Sequence, residues 1–193
     1  MKIVIIDYDA GNTQSVQFAL ERMGKSAIIT SDKEDILCAD KVIFPGVGQA
    51  KAAMDSLKKY DLDILIPQLQ QGVLGICLGM QLLCENTEEG NIKGLGVFEN
   101  NISIIPEGNI VPHTGWNQIS GTKNPLFEGI KENEFMYFVH SYYANLSSCT
   151  IATTHYHEPF SAALQKDNFF GCQFHPEKSG EPGQKILQNF LNM

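Results

Sequence analysis

Four short apolar runs in the first half of the chain lack the alternation of apolar and polar positions that marks a half-exposed strand. They are rich in Val and Ile and span residues 3–6, 27–29, 42–44 and 73–76. Runs of this kind are typical of strands buried on both faces of a parallel sheet. Residues 13–23 and 50–59, which lie between them, carry apolar side chains at helical spacing. This alternation predicts an α/β fold with a central, largely parallel sheet flanked by helices.

The pattern changes after about Gly90. Short apolar segments separated by Gly, Pro and Asn follow there, at residues 102–105, 135–139, 151–154 and 162–164. They predict a mixed or antiparallel extension of the sheet. A last helix is predicted over residues 183–191, with its apolar side chains on one side. Since there is no repeat, low-complexity segment or linker, we expect one domain over residues 1–193.

Charge and cysteine content narrow the class of protein. The formal net charge is −8, and the basic residues form no cluster, which argues against nucleic acid or an anionic membrane as partner. The longest apolar stretch, residues 72–84, contains Gln81 and is shorter than the roughly 20 residues of a membrane span. Five cysteines without a C-x-x-C pair indicate reduced, mostly buried thiols in a cytoplasmic protein. No ligand spacing suggests a metal or an organic cofactor.

One cysteine lies where the chain has to turn tightly. The pentapeptide G-I-C-L-G, Gly75 to Gly79, places Cys77 between a predicted strand and a predicted helix at residues 78–84. It has the spacing of the G-x-S-x-G nucleophile elbow, with sulfur in place of oxygen. Taken alone, the pentapeptide is equally compatible with an ordinary buried core thiol.

Two further segments favour the catalytic interpretation. Q-F-H-P-E-K-S, residues 173–179, follows a predicted strand at 169–174 and offers His175 and Glu177 two residues apart. A cysteine nucleophile needs a base, and the base needs an orienting group. P-G-V-G, residues 45–48, follows the predicted strand at 42–44 and could supply backbone amides at the strand ends. Cys77, His175 and Glu177 are therefore the candidate catalytic residues.

These three segments together resemble the class I, triad-type glutamine amidotransferases, whose glutaminase domain has an α/β fold and a Cys-His-Glu triad. A finer resemblance, to the glutaminases of histidine biosynthesis, covers essentially the whole chain. It rests also on Met80, where other branches usually have histidine, and on the segments D-Y-D-A-G-N, E-E-G, G-L-G, P-H-T-G-W-N and Y-F-V-H-S-Y-Y. Asp9, Gln49, Ala50, His155 and His157 depart from the family pattern, and we interpret them as surface variation.

The resemblance implies a mechanism and a substrate. Cys77 would attack the side-chain amide of glutamine, His175 would transfer protons, and Glu177 would orient the imidazole. The oxyanion hole would use the backbone of Gly46, Val47 and Leu78. Glutamine would be held by Gly48, Gly79, Gln81, Glu89, Ser141 and Tyr142. For Gln81 the alternative is a solvent-facing helix residue.

The resemblance also implies a partner. Glutaminases of this branch dock as heterodimers on a (β/α)8-barrel cyclase, which receives the ammonia. The matching interface positions are Asn12, Trp116, Asn117, Tyr137 and Lys178, and for Trp116 core packing is the alternative. Three other functions stay open: a glutaminase feeding a different barrel synthase in a surface-sugar pathway, a free-standing γ-glutamyl amide hydrolase, and a regulatory protein without activity.

Overall fold

The computed structural model describes all 193 residues and contains thirteen strands and six α-helices. The first half is built from β1 Ile3–Ile6, α1 Thr13–Arg22, β2 Ala27–Thr30, α2 Lys33–Leu37, β3 Lys41–Gly46, α3 Ala50–Lys59, α4 Leu62–Leu65, β4 Gly72–Cys77 and α5 Leu78–Leu83. The second half is built from β5 Cys84–Thr87, β6 Ile92–Lys93, β7 Phe98–Ile104, β8 His113–Ile119, β9 Glu134–His140, β10 Tyr142–Ala144, β11 Thr150–Tyr156, β12 Glu158–Lys166, β13 Phe169–Cys172 and α6 Gly180–Asn192. None of the six α-helices has the length and hydropathy of a membrane-spanning segment.

Eleven strands form the main sheet in the order β2-β1-β3-β4-β13-β12-β10-β7-β5-β6, with β11 paired to β12. The five strands from β2 to β13 are parallel, whereas β12 runs antiparallel to β10, β11 and β13. The remaining two strands, β8 and β9, form a separate antiparallel pair. The predicted fold class, a largely parallel sheet with a mixed extension, is confirmed.

The continuous apolar runs are explained by helices on both faces of the sheet. Along β1, Ile3 and Ile5 pack into one hydrophobic cluster, and the intervening Val4 and Ile6 pack into another. The first cluster includes buried residues of α1 and α6, and the second includes buried residues of α3 and α5. Because each face of the strand meets a helix layer, apolar residues are required at consecutive positions.

Two elements differ from the predictions. The apolar run at residues 27–29 predicts burial on both faces, but Ile28 is 44% exposed. The reason is that β2 is an edge strand, paired only with β1. The sequence of β8, H-T-G-W-N-Q-I, is mostly polar and does not predict a strand. This strand is stabilised by pairing with β9 over seven consecutive residues.

The turn from β4 to α5 brings the start of α5 unusually close to the end of β3. Cys77 has φ 53° and ψ −111°, a conformation that non-glycine residues rarely adopt. A Cβ added to Gly79 would overlap the carbonyl oxygen of Phe44 in β3. A Cβ added to Gly46 would lie 2.6 Å from the backbone nitrogen of Gly79. Glycine at these positions therefore lets the start of α5 contact the end of β3.

Replacing Gly79 with alanine is expected to lower the free energy of unfolding by about 3 kcal/mol, because β3 and α5 would have to separate. Urea denaturation measures this directly. Gly121→Ala is the control, since Gly121 has φ +72° with no atom near the added Cβ. That variant should lose only about 1 kcal/mol, the cost of a left-handed conformation. Equal losses for the two variants would contradict the close-approach explanation.

Candidate active site

Cys77 is the last residue of β4 and lies directly before α5, so its side chain is held at the carboxyl edge of the parallel strands. The residue is 7% exposed. Its thiol donates a long hydrogen bond to the carbonyl oxygen of Val139, at 3.7 Å. The side-chain amide of Gln173 lies on the other side and donates to Sγ at 3.8 Å. The sulfur is therefore oriented by β9 and by the segment that follows β13.

His175 and Glu177 form a buried pair. The Nδ1 atom of His175 lies 2.8 Å from Oε1 of Glu177, and the two side chains are 3% and 1% exposed. Burial by itself lowers the pKa of His175, but the neighbouring Cys77 sulfur and Glu177 carboxylate outweigh it, so the pKa is raised above its ordinary value. Nε2 has no hydrogen-bond partner within the protein. The imidazole can therefore exchange a proton through Nε2 while Glu177 holds Nδ1.

The backbone around the pair is held by local hydrogen bonds. Residues Pro176–Lys178 form a single 3₁₀ turn, for which Pro176 supplies the required φ. The backbone amide of His175 donates to Tyr137 in β9 at 2.9 Å. The hydroxyl of Ser179 donates to the carbonyl oxygen of His175 and accepts from the backbone amide of Tyr137. The β8–β9 pair is thus attached directly to the turn that carries His175.

A cavity of about 350 Å³ opens over Cys77. Pockets of this size accommodate small molecules. Its wall combines nine of the predicted site residues with three that were not predicted: Val47, Gly48, Cys77, Leu78, Gln81, Glu89, Ser141, Tyr142 and His175, then Pro112, Val139 and His140. The predicted residues Gly46 and Gly79 do not line it and instead pack against each other. Glu177 contacts His175 from outside the cavity wall.

Gln81 lies in the cavity wall, although it belongs to a helix. It is 5% exposed, so the alternative of a solvent-facing helix residue is wrong. Its Nε2 donates to the carbonyl oxygen of Tyr142 at 2.8 Å and to Oε1 of Gln173 at 2.9 Å. The side chain of Gln81 therefore connects α5, β10 and the segment after β13 within the cavity wall.

Glu89 is held at the cavity by the start of α3. Its Oε2 accepts a hydrogen bond from the backbone amide of Ala50 at 3.1 Å. Burial raises the pKa of Glu89, and this backbone hydrogen bond acts in the opposite direction. Ala50 is fully buried, so its interpretation as surface variation is wrong. Gln49, His155 and His157 are exposed, as expected.

The loop after β3 lies beside Cys77. Gly46 is the register partner of Cys77, so Val47 and Gly48 continue the backbone at the edge of the cavity. Gly48 has φ +94°, a conformation that favours glycine. Val47 is 42% exposed. The loop therefore forms one side of the cavity beside Cys77.

The predicted interface residues fall on four elements: β8 with Trp116 and Asn117, β9, the 3₁₀ turn after His175 and the start of α1. Trp116 and Tyr137 are register partners on β8 and β9, and their rings meet edge to face at 5.9 Å. Trp116 is 55% exposed, so core packing is excluded for it. Lys178 is exposed on the turn that carries Glu177. Asn12 caps α1, accepting from the backbone amide of Ser15 at 3.2 Å.

Four residues at the site were missed by the sequence interpretation. Gln173 contacts Cys77, and Pro112, Val139 and His140 line the cavity. All four lie within the segments Q-F-H-P-E-K-S, P-H-T-G-W-N and Y-F-V-H-S-Y-Y already singled out, so their position in those segments was the available signal. Asp9, another departure from the family pattern, has an exposed side chain but a left-handed backbone with φ 62°, which fits a position where glycine is common.

The family model for glutamine amidotransferase class-I matches residues 4–193. Imidazole glycerol phosphate synthase subunit HisH of Bacteroides fragilis (strain YCH46) is 55% identical, and the match covers all of both chains. The same subunit is 52% identical in Bacteroides thetaiotaomicron and 47% identical in Yersinia pestis, again over both full lengths.

Solved structures agree on the fold. A crystal structure of a glutamine amidotransferase has a TM-score of 0.77 at 18% identity, covering 98% of this chain and 97% of its own. The structure of PurLQS from Thermotoga maritima reaches 0.74 at 19% identity, covering 99% and 97%. The chain therefore belongs to the class-I glutamine amidotransferases, and among them to the family of the glutaminase subunits of imidazole glycerol phosphate synthase.

Proposed function

We propose that this chain hydrolyses glutamine to glutamate and ammonia through a Cys77 thioester. The ammonia is supplied to a (β/α)8-barrel cyclase subunit, which makes imidazole glycerol phosphate and AICAR in histidine biosynthesis. The observation that carries the proposal is the single cavity in which Cys77, His175 and the polar wall of Gln81 and Tyr142 meet, with Glu177 bound to His175 from outside the wall. The reaction and the protein both belong in the cytoplasm.

In the first half of the reaction, Sγ of Cys77 forms a bond with the side-chain carbonyl carbon of glutamine. The thiol proton passes to Nε2 of His175 and then to the leaving nitrogen, so that ammonia departs and a thioester remains. Glu177 accepts the Nδ1–H of His175 and stabilises the imidazolium that forms in between. The free Nε2 at the cavity supports this role.

In the second half, His175 takes a proton from water, and the resulting hydroxide attacks the thioester carbonyl. The carbon–sulfur bond breaks, glutamate leaves and Cys77 recovers its proton. In both halves a negative charge develops on the carbonyl oxygen. We expect the backbone amides of Leu78 and the Gly46–Val47 loop, which lie beside Cys77, to receive it. Removing one such donor costs about 10²–10³ in turnover.

The rest of the cavity matches the other end of glutamine. The carboxylate of Glu89 suits the α-ammonium group, and the polar groups of Gln81, Ser141 and Tyr142 complete the wall. Gly48 and Gly79 contribute to the site through their backbone. Gly48 lies at the rim of the cavity, and Gly79 allows α5 to contact β3 closely. The substrate would therefore lie between α5 and the loops after β3 and β9.

The partner surface is centred on the β8–β9 pair. It comprises Asn12, Trp116, Asn117, Tyr137 and Lys178. The exposed tryptophan supports the proposal, since aromatic residues of this kind anchor protein interfaces. The backbone hydrogen bond from His175 to Tyr137 supports a partner surface next to the triad, from which ammonia would have a short path to the partner.

Replacing Trp116 with alanine is expected to weaken binding of the cyclase subunit by about 30-fold, which corresponds to the loss of an interface anchor. The free energy of unfolding should change by less than about 1 kcal/mol, because the ring is mostly exposed. A calorimetric titration measures the affinity. Leu37→Ala is the matched control, since Leu37 is 56% exposed outside this surface. Equal affinity of wild type and Trp116→Ala would contradict the interface role.

Ammonia release from glutamine tests the whole proposal. The purified chain is assayed alone, and then with the cyclase subunit of the same organism and its ribonucleotide substrate. We expect the rate of ammonia release to rise at least about 100-fold in the complex, because binding of the partner and its ribonucleotide would complete the catalytic site. Equal activity without the partner would indicate a free-standing amide hydrolase. Stimulation by a different barrel synthase alone would place the chain in another pathway.

A further inference from the structure

Two buried histidines that the proposed reaction does not use lie beside the cavity. His113 at the start of β8 and His140 at the end of β9 are register partners, 4% and 6% exposed. Nδ1 of His113 lies 2.9 Å from Nε2 of His140. His140 also lines the cavity, whereas His113 lies behind His140 and does not line the cavity.

The direction of each hydrogen bond in this series follows from the groups at the two ends of the series. Nδ1 of His140 lies 2.8 Å from the carbonyl oxygen of Tyr142, which can only accept, so Nδ1 carries a hydrogen. In a neutral imidazole Nε2 is then an acceptor, and Nδ1 of His113 must donate to it. Nε2 of His113 is left as an acceptor, which faces Nδ2 of Asn117 at 3.3 Å.

Asn117 fixes the same direction from the opposite end. Its Oδ1 accepts from the backbone amide of Gln118 at 2.8 Å, and its Nδ2 also donates to the carbonyl oxygen of His155 at 3.1 Å. The side-chain amide is therefore not free to flip. The hydrogen bonds run in one direction, from Asn117 through both histidines to the carbonyl of Tyr142.

The surroundings keep both rings neutral. His113 stacks between Tyr156 and Phe138, with ring centroids 4.0 and 5.2 Å away, and His140 packs against Phe160 at 5.3 Å. Burial lowers the pKa of His113 to about 4. Burial, with a smaller contribution from His113, lowers the pKa of His140 to about 3. A proton on either ring would place two donors against each other.

The chain of hydrogen bonds continues to the nucleophile. The carbonyl of Tyr142 accepts from Gln81 as well as from His140. Gln81 donates in turn to Gln173, and Gln173 donates to Sγ of Cys77. A change in the position of the Tyr142 carbonyl would therefore be passed on to the sulfur through two side-chain amides.

We propose that His113 and His140 are a positioning pair, which holds the Tyr142 carbonyl so that Gln81 and Gln173 orient the substrate wall and the Cys77 sulfur. The effect on catalysis rests on the proposed glutaminase function, whereas the orientation of Cys77 does not. The pair also links the cavity to Asn117, which follows Trp116 in β8.

Variants of His140 separate its hydrogen bonds from its bulk. His140→Phe fills the ring position but cannot donate to Tyr142, whereas His140→Asn retains a donor at the position of Nδ1. We expect His140→Phe to raise the KM for glutamine about tenfold, with a smaller change in kcat. His140→Asn should restore the KM to within about threefold of wild type. His155→Gln is the control, because His155 is exposed on β11.

A second measurement uses no glutamine. The rate at which iodoacetamide alkylates Cys77 is followed by mass spectrometry in a Cys38→Ser background, because Cys38 is the exposed cysteine. We expect about a fivefold slower rate for His140→Phe, since the amide of Gln173 no longer faces the sulfur reliably. A slower rate in a chain that fails to hydrolyse glutamine would overturn the proposed function and leave the positioning pair supported.

Two results would overturn the positioning pair. One is a KM and an alkylation rate of His140→Phe within twofold of wild type. If His140→Phe does not fold, as judged by thermal unfolding, His113→Phe decides, because it retains the stacking on Tyr156 and Phe138 and leaves the cavity wall unchanged. We expect His113→Phe to raise the KM for glutamine about threefold. The second result that would overturn the positioning pair is an unchanged KM and an unchanged alkylation rate in His113→Phe.

Discussion

Cys77→Ala is expected to reduce glutamine hydrolysis by about 10⁴-fold or more, because the thioester cannot form without the sulfur. The other four cysteines offer no replacement, since Cys38 is exposed at the end of α2 and the remaining three do not line the cavity. Alanine retains Cβ, so the backbone at φ 53° keeps its packing against α5. Glutamate formation in the complex with the cyclase subunit measures the loss.

Cys38→Ala is the control for this prediction and should retain full activity. The Cys77→Ala protein should still bind glutamine, because the cavity wall is otherwise unchanged, and calorimetry tests this. Activity within about tenfold of wild type would contradict covalent catalysis by Cys77. Such a result would mean that the cavity acts on its ligand without a thiol nucleophile.

Glu177→Gln is expected to lower kcat by about 10²–10⁴, because the neutral amide neither stabilises the imidazolium nor enforces the tautomer of His175. The pair is almost completely buried, so the lost charge is not replaced by water. Burial already lowers the pKa of His175, and the carboxylate is one of the groups that raise it. The pKa of His175 should therefore fall in this variant, which an NMR titration of the five histidines measures.

Glu181→Gln supplies the matched control, since Glu181 lies in the first turn of α6, only four residues further along. It should leave both kcat and the pKa of His175 unchanged. The orienting role of Glu177 would be refuted by a kcat within threefold of wild type together with an unchanged His175 pKa.

The strand, turn and helix around Cys77 could be predicted because their determinants are local. A strand, a tight turn and a helix follow one another within residues 72–83, and Gly75 and Gly79 mark the close contacts around Cys77. The burial of Gln81 could not be predicted in the same way. It depends on Tyr142 and Gln173, which are 61 and 92 residues away along the chain.

The histidine pair illustrates the same limit. His113 and His140 are 27 residues apart, and only the register of β8 on β9 makes them partners. The polar sequence of β8 does not predict a strand at all, because its stability comes from pairing with β9 and not from an apolar face.

The sequence alone determined the α/β class, the buried parallel strands, the cysteine elbow and the segment with His175 and Glu177. Each of these depends on side-chain periodicity or turn chemistry over a few residues, where the local pattern dictates the backbone. Tertiary structure alone decided that β2 is an edge strand, that Trp116 is exposed, and that a line of hydrogen bonds joins Asn117 to Cys77. These features depend on which distant segments become neighbours, and that is settled by the packing of the whole chain.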